Sequence, residues 1–492
     1  MTGSPIVNPF AALKNWLLAH RSRRKRPDLH ALWLHPETLP PWVADSPPVR
    51  RTLDLLGPLH WERFPERDLQ RNWGQTTVPY AAFAAAYLVK LNEGLVFMSD
   101  LCQYLVEHPG FIWLFGFPLV PSAATRLGFD AEASLPTQRH LTRMLRTIPN
   151  AALQFLLGES VAAILAELTA LHVVGVGDCI SLDTKHIIAW VKENNPKAYV
   201  ANRFDKTQQP RGDPDCKLGC KRRHNQRTTP PPTPLHNPVP ADTLAVGEYY
   251  WGYGSGVVAT KVPNWGEFVL SELTQPFDAA DVSYFFPLMT QAEARLGFRP
   301  RCGAFDAAFD AFYVYEHFYR EHDPTAFAAV PFVEKGGYKA NGRHFSPDGQ
   351  PLCAAGLPMP LLFTYTDRTV TIIEHERGKY GCPLRSQESS PDAVCPINHK
   401  NWAKRGCTTT MPTSIGARIR YQLDRHSNAY REAYRQRTAT ERVNSQAVEL
   451  AIERPKLRNG RAIANLNTLI YVLINLRALH RIRQRKANRS SA

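Results

Sequence analysis

The chain has 492 residues, a mass of 55.5 kDa and 44% hydrophobic residues, enough for two to four domains of ordinary size. A mean hydropathy of −0.32, 29 glycines without period and 9 cysteines exclude the membrane-embedded, collagen-like and disulfide-dense classes. Lys and Arg number 59 against 44 Asp and Glu, a net charge of +15.

That excess sits in three acid-free runs, with five positive charges in residues 21–26, five in 217–227 and six in 477–492. Clustered positive charge suits a polyphosphate partner, because each neutralised phosphate releases condensed counterion. Solvated tails are the bland alternative. No apolar segment ahead of a small-residue cleavage site is visible at the start, so a cytoplasmic protein with no membrane partner is expected, and the charge clusters make it a nucleoid-associated one.

Residues 1–60 are rich in Pro and Arg, without clear periodicity, and read as a basic arm. Residues 61–170 read as a helical DNA-binding domain, with Ala- and Leu-rich helices at 81–91, 95–106 and 151–168. A further helix follows Ser134, with Pro136 in its first turn and Ser134 as its cap. It places Arg139, Arg143 and Arg146 on one face and Leu141, Met144 and Leu145 on the other. A basic stripe opposite an apolar one suits contact with DNA, and equally any surface helix of a basic protein.

From 171 the pattern turns to strands. Segments 179–190, 248–262 and 267–273 read as strands, 282–296 as a helix, 301–305 as a strand, 307–319 as a helix and 327–333 as a strand. A Pro-rich loop interrupts them between 192 and 245. The order implies an α/β domain of mixed strand direction, whose first part spans 171–333. Residues 334–420, rich in Gly, Pro and Cys, read as a β-rich insertion with strands at 361–365 and 369–374. Residues 421–492 close the domain with helices at 427–450 and 461–485 and a basic tail. Asn465, Asn467 and Asn475 make the most apolar late stretch a buried helix rather than a membrane span.

Cys353, Cys382, Cys395 and Cys407 lie in the insertion and suggest a structural Zn2+ site, although no C-x2-C pair is present. The alternative is that they are core residues or surface thiols.

Three acidic residues stand out. Asp183 lies in the middle of an apolar strand, where a carboxylate is costly, with pairing to Lys185 as a bland explanation. Asp306 ends a short strand before a helix, where α/β proteins place chemistry and where an ordinary N-cap also sits. Asp310, one turn on, reads as a favourable charge near a helix N-terminus. Glu441 follows Tyr434 and Arg437 at helical spacings of 3 and 4, so all three share one helix face. An exposed Arg437–Glu441 pair would be worth only about 0.3–0.5 kcal/mol.

The order Asp, Asp, Glu resembles the DDE-type transposases of bacterial insertion sequences, in particular the group whose last motif reads Tyr-x2-Arg-x3-Glu-x6-Lys. Tyr434, Arg437 and Glu441 fit that spacing, while Val448 stands at the place of the Lys, with Lys456 or Arg454 as substitutes. Ser181-Leu-Asp-Thr-Lys is similar to the first-Asp motif and Phe305-Asp-Ala-Ala-Phe-Asp to the second. The resemblance covers roughly residues 60–475.

The resemblance implies a ribonuclease H-like mixed sheet carrying an inserted β-rich subdomain. It also implies a DNA transposase that cleaves element ends by metal-dependent hydrolysis and joins the 3′-OH ends to target DNA. Asp183, Asp306 and Glu441 would then hold two Mg2+ ions, with Mn2+ able to replace them, stabilising charge on the attacking and leaving oxygens. Arg437 would hold a phosphate and Tyr434 would lie near the terminal bases. Double-stranded DNA is the implied partner, and a homodimer the implied synaptic unit. The rivals are a catalytically inactive DNA-binding relative and a nuclease of the same fold without strand transfer.

Overall fold

The structure, a computed structural model, describes residues 26–69, 77–221, 248–334, 342–368, 373–385 and 392–490. Residues 26–60, expected in an arm, are instead packed helices. Helix α1 (Leu29–Leu34), the turn Pro41–Ala44 and α2 (Pro47–Leu56) bury Leu29, Val43, Val49, Leu53 and Leu56. Their prolines obscure the periodicity but sit in first turns, where a missing N–H costs nothing. Arg26, from the first basic run, lies over the Trp61 ring at 5.5 Å. The rest of that run, and the Pro-rich stretch 230–240, fall outside the described residues.

Helices α3 (Tyr80–Asn92), α4 (Met98–Glu107), α5 (Gln138–Thr147) and α6 (Asn150–Ala170) form close to where the pattern places them. On α5 Leu141, Met144 and Leu145 are buried, and Arg139, Arg143 and Arg146 are exposed on the opposite side. Its cap is Thr137, which accepts from the His140 amide at 3.3 Å; Ser134 instead accepts from the Val120 amide at 2.8 Å. Pro136 therefore precedes the helix.

The main sheet has six strands: β1 (Cys179–Ile188), β2 (Lys217–Lys221), β3 (Glu248–Val262), β4 (Gly266–Pro276), β5 (Cys302–Ala304) and β6 (Phe327–Ala329). The long β3 runs antiparallel to β1 on one side and to β2 and then β4 on the other. Strands β5 and β6 continue the sheet parallel to β1. The order is β4-β3-β1-β5-β6, with β2 extending the β4 edge. Strand β2, inside the stretch read as loop, was hidden by its charged ends.

Period-2 alternation gives β1 two working faces. Ile180 and Leu182 pack against α7 (Phe285–Leu296) and α8 (Phe312–Phe318), while Ile187 joins the core shared with the N-terminal helices. That core is continuous from Leu29 to Leu476, so the expected border at 170/171 is a change of secondary structure, not a gap in packing. On β3 a Cβ at Gly256 would come within 2.4 Å of the Tyr284 ring, so glycine there admits the aromatic.

In the insertion β7 (Leu361–Asp367), β8 (His375–Tyr380) and β9 (Thr409–Pro412) form an antiparallel sheet. The expected strand at 369–374 lies partly outside the described residues, and the observed strand begins at His375. The chain returns through α9 (Ile415–Gln422), α10 (Asn428–Arg435), α11 (Thr438–Glu449) and α12 (Gly460–Ser490).

Helices α6 and α12 are long and apolar enough to cross a membrane, but 83% of the apolar window of α12 is buried in the fold. Its asparagines explain this. Asn465 donates to the Leu145 and Ile148 carbonyls, and Asn475 bridges the Val269 backbone to Ser160. Buried amides need such partners. The last basic run is helix rather than tail, and part of it is spent internally. Arg483 and Lys486 pair with Glu167 at 2.7 and 3.1 Å, and Arg477 bonds Asn92.

The same interface buries Glu272 of β4 to 1% exposure, with Gln154 and the Thr468 hydroxyl donating to its Oε1. Burial pushes its pKa from 4.5 up to about 7. The folded state thus keeps a proton that the unfolded chain releases. Stability should therefore fall as pH rises from 4.5 to 7, by about 3 kcal/mol from this residue. Glu272→Gln should flatten that part of the profile in urea unfolding; an unaltered slope would contradict the assignment.

Candidate active site

The ladder between β1 and β5 pairs Ser181 with Ala304. Asp183 lies two residues further along β1, and Asp306 two residues past Ala304, where β5 has ended and a turn begins, so both come to the same end of the sheet. Strand neighbours are about 4.8 Å apart. Burial pushes both carboxyls upward, Asp183 to about 6, with the Asp306 charge adding to the Asp183 rise. Asp281, at the turn before α7, raises both. Its Oδ1 accepts from the Thr184 hydroxyl at 2.7 Å.

The helices above are laid out by the packing. Tyr430 and Ala433 of α10 pack with Ala329 of β6. Ala439, Val443 and Ala447 of α11 pack into the core on the far side of β1. The expected single helix 427–450 breaks at Gln436–Arg437, which lets each half lie on a different part of the sheet. The reading that Tyr434, Arg437 and Glu441 share one unbroken helix is therefore corrected. Tyr434 ends α10, Arg437 caps α11, and Glu441 lies in the first turn of α11.

Arg437 nevertheless draws the parts together. It meets Glu441 at 3.3 Å, and its charge lowers the pKa of both Asp183 and Asp306. In turn Asp183, Tyr434 and Glu441 hold its own pKa up against burial. The Arg437–Glu441 contact is half exposed on the Glu side and contributes little to stability by itself.

Asn444, one turn after Glu441, donates to Asp183 Oδ2 at 3.1 Å, and the Thr184 amide donates to Oδ1 at 2.9 Å. Lys185 does not pair with Asp183; it meets Glu453 at 2.5 Å. A cleft of about 350 Å³ opens here, lined by Asp183, Lys185, His186, Glu441, Asn444 and Val448. Lys456 and Arg454, the expected substitutes for the motif Lys, line a different groove. Lys185 is the cation that lines this cleft.

Asp281 and Asn444 were missed in the sequence. Asn444 could have been found from its spacing of 3 from Glu441 on one helix face. Asp281 carried no signal, because only the fold brings its turn to β1. Asp310 is corrected: it forms a buried ion pair with Arg420, at 2.8 and 2.5 Å, and accepts from the Tyr315 hydroxyl and the Val333 amide.

The donor chemistry suits a hard divalent cation. Desolvated carboxyls repel one another, and the Asn444 Oδ1 is buried with no hydrogen-bond partner among the described residues. In the present side-chain arrangement no group of three or more His, Cys, Asp or Glu among the described residues is spaced to hold a metal. The thiols divide. The Cys407 thiol is pushed up to about 12 by burial and by Cys382 and Cys353 nearby, whereas the Cys395 sulfur accepts from the His399 amide at 3.4 Å. Cys353, Cys382 and Cys407 thus lie near one another, and Cys395 is engaged by the His399 amide.

No family model, curated protein or solved structure matches this chain.

Proposed function

We propose that this protein is a metal-dependent DNA transposase of the DDE type, acting on the ends of an insertion sequence. The observation that carries the reading is that Asp183 on β1 and Asp306 just past the end of the parallel β5 come close enough for their charges to interact, with Arg437 acting on both and meeting Glu441 at the helix break. The strand order, with three antiparallel strands followed by two parallel to the first, supports a ribonuclease H-like core.

Asp183, Asp306 and Glu441 would hold Mg2+, which when bound supplies positive charge to the attacking and leaving oxygens of a phosphodiester. The chain's own residues do the rest. Asn444 and the Thr184 amide hold the Asp183 carboxyl in one orientation. Arg437 neutralises the carboxyls of the resting site and offers its planar fork to a substrate phosphate. Tyr434 sits beside it, near where terminal bases would lie. The exposed arginines of α5 would contact duplex DNA away from the cleft. Bringing two element ends together calls for two chains, so a homodimer is proposed on DNA.

The test is incubation of the purified chain with Mg2+ and the DNA that flanks its gene. Nicking that leaves 3′-OH ends, followed by their joining to a target, supports a transposase. Nicking without joining points to a nuclease, and binding without nicking to an inactive relative. Short inverted repeats on both sides of the gene are expected. Arg437→Ala should weaken end binding and make its salt dependence shallower by about one unit of slope; an unchanged slope would remove Arg437 from the phosphate contacts.

A further inference from the structure

A second groove, of about 420 Å³, lies further along the same strand. Trp190 lies seven positions beyond Asp183 and two past the end of β1, a span of up to about 23 Å at strand rise. Trp190 presents its indole to solvent at 55% exposure. The facing wall is the segment 451–459, which joins α11, the Glu441 helix, to α12.

This segment is held as a strap. The Glu453 carbonyl accepts from the Ile188 amide at 2.8 Å, and the Leu457 carbonyl from the Trp190 amide at 3.0 Å. Its far end is clamped where the Asn459 amide donates to the buried Asp213 carboxylate at 2.9 Å. Ala451, Lys456 and Asn459 all have positive φ, at 63°, 52° and 82°. Three non-glycine residues in that region within nine positions cost on the order of 1–3 kcal/mol each. In return the strap leaves Arg454, Lys456 and Arg458 exposed along the groove. Lys192 completes the lining, which includes no acidic residue. Arg454 and Lys192 make no ion pair among the described residues. Lys456 lies 5.1 Å over the exposed Phe97 ring, so the groove runs on toward the N-terminal helices.

We infer that this groove binds an unpaired stretch of DNA leading to the Asp183 cleft, with Trp190 stacked on a base and the strap's cations on the phosphates. Four cations answer a polyanion, and an exposed indole offers a flat face on which the base of an unpaired strand stacks without the cost of opening a duplex. The inference rests on the proposed DNA activity and adds the strand form and the path.

The test is binding of a thymidine oligomer of about 12 nucleotides to the full chain. Trp190→Ala should weaken it about tenfold, Trp190→Phe should restore most of the loss, and the exposed side chain leaves the fold intact by circular dichroism. Replacing Arg454, Lys456 and Arg458 together by Ala should lower the salt slope by about 2. Wild-type affinity in Trp190→Ala, or an unchanged slope in the triple variant, overturns the groove even if end cleavage by the enzyme is demonstrated. Weakened binding in these variants upholds it even if the wild-type chain binds DNA without nicking it, in which case the transposase reading falls alone.

Discussion

Asp183→Ala, Asp306→Ala and Glu441→Ala will each lower Mg2+-dependent end cleavage by at least about a thousandfold, on the scale of several kcal/mol of lost charge stabilisation. Binding to DNA will survive, because the exposed cations of α5 and of the strap are untouched. The Asp183 variant carries a second expectation that a merely structural carboxylate would not. Its pKa is raised from 3.8 to about 6, so the folded state bears an ionised group it disfavours at neutral pH. The sign follows: a carboxyl with a raised folded pKa withdraws stability as pH climbs from 3.8 through 6, by about 3 kcal/mol. Removing it should therefore leave the Tm unchanged or higher while activity disappears. Loss of activity with a matching loss of stability would instead mark Asp183 as structural, and near wild-type cleavage in any of the three would break the site assignment.

Asp310→Ala will do the reverse, four residues from Asp306 in the same junction. Removing this carboxylate strands the Arg420 guanidinium, which is 7% exposed, and deprives the Tyr315 hydroxyl and Val333 amide of their acceptor. Breaking one side of a buried pair costs about 3–5 kcal/mol. The loss should appear as a lower urea midpoint, and residual cleavage should scale with the folded fraction. The pair clips α9, where the chain returns from the insertion, to the start of α8. Asp310→Ala combined with Arg420→Met should recover part of the loss, since the uncompensated charge is then gone. A single variant as stable as the wild type would mean the pair contributes nothing net.

The two aspartates show where reading the chain succeeds and where it stops. Both lie in the junction between the short strand β5 and helix α8, and both look like helix-start residues. What separates them is Arg420, 110 positions away, and no local pattern announces it. Likewise the break at Gln436–Arg437 is silent in the sequence, because Ala, Thr and Arg on either side are ordinary helix residues. It forms because α10 packs on β6 and α11 on the opposite side of β1, and one straight helix cannot lie on both.

Residue chemistry and period dictated the strands and helices around the site, the apolar face of α5 and the buried course of α12, since those depend on neighbours within a few positions. It also singled out Asp183, because a carboxylate is out of place among Ile and Leu. Assembly of the packed chain alone brought Asp306 near Asp183, brought in Asp281 and Asn444, set Lys185 in the lining of the cleft and pressed residues 26–60 into the core. Each of these is a long-range meeting, governed by strand register and by which surfaces bury against each other. A linear pattern carries neither.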